Sequence, residues 1–122
     1  MREFSVYLIF LLLSSCYLFK GNGIDYKIIN NSKHEMKQVV FTTSEEVDSI
    51  LIGNIKPNET KSGFLRMPNT ETDGSYVLKY VNRNNEKMTY AAGYYTNGGS
   101  LDSWIRFETK EDTTLVSTGD YP

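Results

Sequence analysis

The sequence predicts an all-β protein: a single antiparallel β-sandwich of the Ig-like or Greek-key kind over residues 24–122, with a small β-barrel of short strands as the alternative. Three observations carry this. From residue 24 onward, runs of five to ten residues in which apolar side chains alternate with polar ones are separated by clusters of Asn, Gly, Pro and Asp, the pattern of strands and turns. No stretch shows the three-to-four-residue apolar spacing of an amphipathic helix. The chain has 122 residues and one cysteine, Cys16. About 100 residues follow it, which suits one two-layer domain. A chain of that size buries only roughly 60 to 65% of its unfolded surface, so its core is modest.

The first strand is expected over 24–30, with Ile24, Tyr26 and Ile28 on one face. Asn30-Asn31-Ser32-Lys33 turns the chain. A second strand over 36–43 puts Val39 and Phe41 together. Ser44-Glu45-Glu46-Val47 reads either as one helical turn capped by Ser44 or as a plain loop. A short apolar strand follows over 49–55. In Lys56-Pro57-Asn58-Glu59 the proline presets φ at the second turn position. Residues 62–67 carry Phe64, Leu65 and Met67. A polar loop over 68–74 leads to a strand over 75–82, where Tyr76, Leu78 and Tyr80 alternate with Val77, Lys79 and Val81. Arg83-Asn84-Asn85-Glu86 is a hairpin turn back into a strand over 88–96. Asn97-Gly98-Gly99-Ser100 is a turn in which φ is free to be positive. The strand over 104–109 places Ile105 and Phe107 on one face and Trp104, Arg106 and Glu108 on the other. A last strand covers 113–118.

Residues before Cys16 have a different character. Met1-Arg2-Glu3 precedes the apolar run from Phe4 to Leu13, and Leu13-Ser14-Ser15-Cys16 follows. A short start with one Arg, an apolar stretch and small residues before a cut make a secretory signal peptide over 1–15. The apolar stretch is shorter than the roughly 20 residues a spanning helix needs. Residues 16–23, ending in Gly-Asn-Gly, read as a tether. An uncleaved anchor, or a later cut near 21–23, are the alternatives, because Tyr17-Leu18-Phe19 resumes the apolar run. No cysteine follows Cys16, so the mature fold has no internal disulfide even in an oxidising compartment.

Leu13-Ser14-Ser15-Cys16 resembles the lipobox of bacterial lipoproteins, whose cysteine receives a diacylglyceryl group and becomes the N-terminus. Three further stretches, Tyr26 to Ser32, Gly53 to Thr60 and Gly93 to Ser100, give the whole chain a resemblance to small, uncharacterised lipoproteins of Gram-negative bacteria. The resemblance implies lipidation at Cys16 and an extracytoplasmic β-sandwich. It brings no catalytic residues. Tyr17 is not the Asp that in such lipoproteins signals retention at the inner membrane. The tether also lacks an acidic run of the surface-export kind. The expected location is therefore the cell envelope, at the outer membrane and facing the periplasm.

Composition and motifs narrow the chemistry. A formal charge of −2, spread evenly, does not suit a nucleic-acid partner. With His34 the single histidine and no thiolate after Cys16, no metal site or cofactor is expected. His34 lies in a turn between Lys33 and Glu35, without an evident serine and carboxylate around it. The pairs Glu45-Glu46 and Glu111-Asp112 are adjacent in sequence, so strand geometry points them apart. The expectation is therefore that the protein is not an enzyme. Tyr90, Tyr94, Tyr95 and Trp104 cluster in sequence; most such sets pack across strands. Trp104 is the exception, since Ile105 and Phe107 claim the core side of its strand. Trp104, Arg106 and Tyr95 are accordingly the expected binding surface.

Together these observations suggest a lipid-anchored envelope protein that acts as a non-enzymatic interaction or structural module. Its partners would be the membrane, through the anchor, and another envelope protein or a glycan. A periplasmic inhibitor is the first alternative. Lys61-Ser62-Gly63 is similar to the Ser-Gly element of lysozyme-inhibitor lipoproteins, which insert a loop into an enzyme cleft. A small hydrolase is the second.

Overall fold

A computed structural model describes residues 21–68 and 71–120; the signal-peptide and Cys16 assignments lie outside them. Nine strands run in chain order: β1 (Gly23–Asn30), β2 (Met36–Thr43), β3 (Ser49–Ile55), β4 (Thr60–Arg66), β5 (Gly74–Val81), β6 (Lys87–Thr96), β7 (Gly99–Ser100), β8 (Trp104–Thr109) and β9 (Thr114–Gly119). They form a four-stranded sheet in the order β4-β1-β8-β9 and a five-stranded sheet in the order β3-β2-β5-β6-β7. The fold is thus all-β and two-sheeted, and no helix occurs among the described residues.

One pairing departs from the all-antiparallel expectation: β1 and β8 are parallel. The cause is where the chain re-enters the first sheet. β8 starts beside the beginning of β1, with Asp25 N–H donating to the Ser103 carbonyl at 3.1 Å. It must then run the same way as β1.

Turn chemistry explains the hairpins. Glu59 N–H donates to Lys56 O at 3.0 Å, with Pro57 second in the turn and Asn58 third at φ 65°; a positive φ at the third position makes this a type II turn. Asn97 and Gly98 both have positive φ, 49° and 72°, as a tight type I′ hairpin requires. Ser44 to Val47 forms a turn and not a helix. Glu46 N–H returns to Thr43 O at 3.0 Å, and Ser44 Oγ accepts from Ser75 N–H at 3.2 Å.

The core lies between the sheets. Ile24, Tyr26, Ile28, Leu65, Ile105 and Phe107 come from the four-stranded sheet. Met36, Val39, Phe41, Ile55, Tyr76, Leu78, Tyr80 and Tyr95 come from the other. Phe41 is the hub, with ring centroids 5.0 Å from Tyr26, 5.8 Å from Phe107 and 6.3 Å from Tyr76. A β-bulge at Gln38, φ 51°, rephases β2. It allows Met36 and Val39, an odd spacing apart, to face the same core. Beside the Asn-Asn-Ser turn, Asn30 is fully buried. Its amide donates to His34 O at 2.8 Å and Ile55 O at 2.9 Å, and its Oδ1 accepts from Ser32.

Candidate functional site on the outer sheet face

The core takes the even-numbered residues of β1 and the odd-numbered residues of β8. The others form the outer face of the four-stranded sheet, and strand register sorts them into rows. Phe64, Asp25, Trp104 and Gly119 make one row. Ser62, Lys27, Arg106 and Ser117 make the next. Thr60, Ile29, Glu108 and Leu115 make the third. An open groove of about 360 Å³ crosses the first two rows, lined by Asp25, Lys27, Trp104, Arg106 and Ser117 among others.

Trp104 is half-buried, while Lys27, Arg106 and Ser117 are exposed. The indole reaches over β9 at Gly119. A Cβ built there would stand 2.7 Å from Trp104 Cζ2 and 3.2 Å from Nε1, so glycine leaves the room that the ring uses. Arg106 Nη2 lies 3.6 Å from Glu108 Oε2. Glu108 is held in turn by Asn31 Nδ2, which donates to its other oxygen at 3.1 Å.

Of the three residues expected at the surface, Trp104 and Arg106 stand together as alternation predicts. Tyr95 does not join them. It is 2% exposed, in the core. Its ring centroid is 5.8 Å from that of Tyr76, and its hydroxyl donates to Glu45 Oε1 at 2.7 Å. The reason is a bulge in β6. Tyr90 pairs with Leu78 and Ala92 with Tyr76, but Tyr95 pairs with Gly74, one residue further than regular register allows. Gly93, φ 72°, absorbs the extra residue. Without the bulge Tyr94 would face inward, after Met88, Tyr90 and Ala92; with it, Tyr95 takes the core position and Tyr94 is 49% exposed.

The sequence reading missed Asp25, Lys27 and Ser117. Alternation places Asp25 and Lys27 on the outer face, but nothing local says that β1 lies beside β8.

A second cleft, about 230 Å³, opens at the end of the sandwich around His34, Arg83, Glu111 and Asp112. Arg83 Nη1 stands 2.6 Å from His34 Nε2, and Glu111 Oε2 is 3.7 Å from the same nitrogen. The nearby Ser32 hydroxyl is engaged by Asn30 Oδ1 and the backbone of His34, so it is not presented as a nucleophile to the imidazole. Glu45 is held by Thr72 and Tyr95, and those two hydrogen bonds lower its pKa from the ordinary 4.5. Glu46 pairs with Lys79. Lys61-Ser62-Gly63 lies inside β4, paired with Ile28, Lys27 and Tyr26, and is not a projecting loop. Among the described residues no cluster of three or more His, Cys, Asp or Glu side chains is placed to hold a metal ion.

No family model matches this chain, and no curated protein matches it. Among solved structures, the NMR structure of a protein from Eubacterium rectale is similar, with a TM-score of 0.55 and 10% identity over 82% of this chain and 91% of that one. At that identity the likeness is one of fold.

Proposed function

We propose that this protein is a lipid-anchored component of the bacterial envelope. In this reading it acts without catalysis, as an interaction module whose contact surface is the outer face of the four-stranded sheet. One observation carries the reading: Trp104 and Arg106 stand side by side outside the core, over a groove whose floor is regular sheet. Trp and Arg are among the residue types most enriched where binding energy concentrates. The partner is another envelope protein or a glycan. The anchor is Cys16, after Leu13-Ser14-Ser15, at the periplasmic side of the outer membrane. One acyl chain holds a protein only marginally, whereas two or three fix it to the bilayer.

Two experiments test the halves of this proposal. Cells fed labelled fatty acid should label the wild type, while Cys16→Ala should accumulate as unlabelled precursor; an unlabelled wild type contradicts the anchor. Crosslinking in intact cells should give a specific adduct that is lost in the double variant Trp104→Ala/Arg106→Ala. An adduct that persists in the double variant places the contact elsewhere.

A further inference from the structure

The middle row of the outer face contains an arrangement that the fold does not explain. Lys27 and Arg106 are register partners on adjacent parallel strands, which lie only about 4.8 Å apart. Like charges facing each other across strands oppose pairing. A hydroxyl flanks them on each side, Ser62 on β4 and Ser117 on β9. Carboxylates sit only in the rows above and below: Asp25 beside Trp104, and Glu108 against Arg106. The four charges sum to zero, so the face is not a general basic patch of the kind that attracts a nucleic acid. Within the groove the two cations share the middle row, Asp25 lies in the row of Trp104, and Arg106 reaches Glu108 in the row beyond. That geometry suits a ligand that presents one anionic group to the middle row, with an apolar ring face and hydroxyls around it.

We infer that the groove takes a sugar bearing a carboxylate, of the uronic-acid kind. This rests on the contact-surface reading above and names its ligand class. The sugar ring lies on the half-buried indole of Trp104, whose broad amphipathic surface suits a ligand with one apolar face. The carboxylate bridges Lys27 and Arg106, where charge-assisted hydrogen bonds are about twice as strong as neutral ones. Ser117, exposed in the groove, receives a hydroxyl. The volume of about 360 Å³ is at the lower end of the roughly 300–1,000 Å³ of small-molecule sites, and fits a short oligomer laid across the sheet. Bound this way, the carboxylate relieves the Lys27–Arg106 repulsion.

Trp104 is the chain's single tryptophan, so its emission reports the groove directly. Full-length protein in detergent should change emission on titration with trigalacturonate. The matching neutral galactose trimer should bind at least tenfold more weakly. Lys27→Gln and Arg106→Gln, both exposed and so able to fold, should each weaken trigalacturonate binding by roughly tenfold, the scale of one charge-assisted hydrogen bond. Calorimetry with Trp104→Ala should show no binding. Equal affinity for the neutral trimer overturns the charge assignment, and equal affinity for an acidic peptide overturns the sugar. Failure to bind either trimer, with the cellular adduct still dependent on Trp104 and Arg106, overturns this inference but leaves the contact surface standing. Loss of both dependences overturns both.

Discussion

The two faces of the four-stranded sheet are built from alternate residues of the same strands, yet they answer to different demands. Inward, Ile24, Ile28, Ile105 and Phe107 are at most 1% exposed and pack on the opposite sheet. Outward, Asp25, Lys27, Trp104 and Arg106 share the same backbone ladder but carry charge, one large aromatic and open space. The inner set makes the fold and the outer set is free of that duty. Substitutions on the two faces should therefore fall into two classes, one losing stability and the other losing binding.

The inner face should give the largest loss of stability. Phe107 is 0% exposed and packs edge-on to Phe41, so Phe107→Ala should cost about 3 to 5 kcal/mol in urea unfolding. A loss below about 1 kcal/mol, the range of surface changes, would break the comparison.

Next comes the bulge that sorts Tyr94 from Tyr95. Gly93 has φ 72°, and a Cβ there would meet Tyr76 Cδ2 at 2.7 Å. Gly93→Ala should lose about 1 to 2 kcal/mol from the left-handed backbone, with a further loss from the clash. An unchanged midpoint would mean that β6 tolerates regular register.

Asn30→Ala should cost about 1 to 3 kcal/mol, because the buried carbonyl of Ile55 loses its donor. Asn30→Asp should also destabilise, since it removes the amide that donates to both His34 O and Ile55 O.

Much of the inner face was legible in the sequence, and the outer face only in part. Ile24, Tyr26, Ile28, Tyr76, Leu78, Tyr80, Ile105 and Phe107 announce themselves by strict alternation, which is local. Asn97-Gly98 and Pro57-Asn58 mark their turns for the same reason. Tyr95 was misplaced because one extra residue in β6 inverts every side chain after it, and only the pairing with Gly74 reveals it. The row joining Ser62, Lys27, Arg106 and Ser117 depends on which strands are neighbours. The parallel β1–β8 pair comes from a long connection that leaves β1 at Asn30 and enters β8 at Trp104, beyond the reach of periodicity.

A smaller effect concerns the loop near Thr72. The hydrogen bonds from Thr72 and Tyr95 to Glu45 depress its pKa. For a depressed acid, the stabilising contribution is present above the unfolded value near 4.5 and is lost as pH falls through the folded value. Melting temperature should therefore drop as pH falls below about 4.5, and Glu45→Gln should flatten part of that drop. Identical slopes for wild type and variant would remove Glu45 from the account.

The smallest effect on stability, and the most direct test of separate faces, belongs to Trp104→Ala/Arg106→Ala. Arg106 is exposed and the half-buried Trp104 lies along Gly119 on the edge strand, so the two changes together should cost about 1 kcal/mol, well under the loss at Phe107. For a domain of this size that is roughly 4 to 8 °C in melting temperature. Thermal unfolding followed by far-UV circular dichroism should show a native β spectrum and a shift of that order. A fall comparable to that of Phe107→Ala would show that Trp104 holds the fold together, and the outer face would then have no function separate from stability.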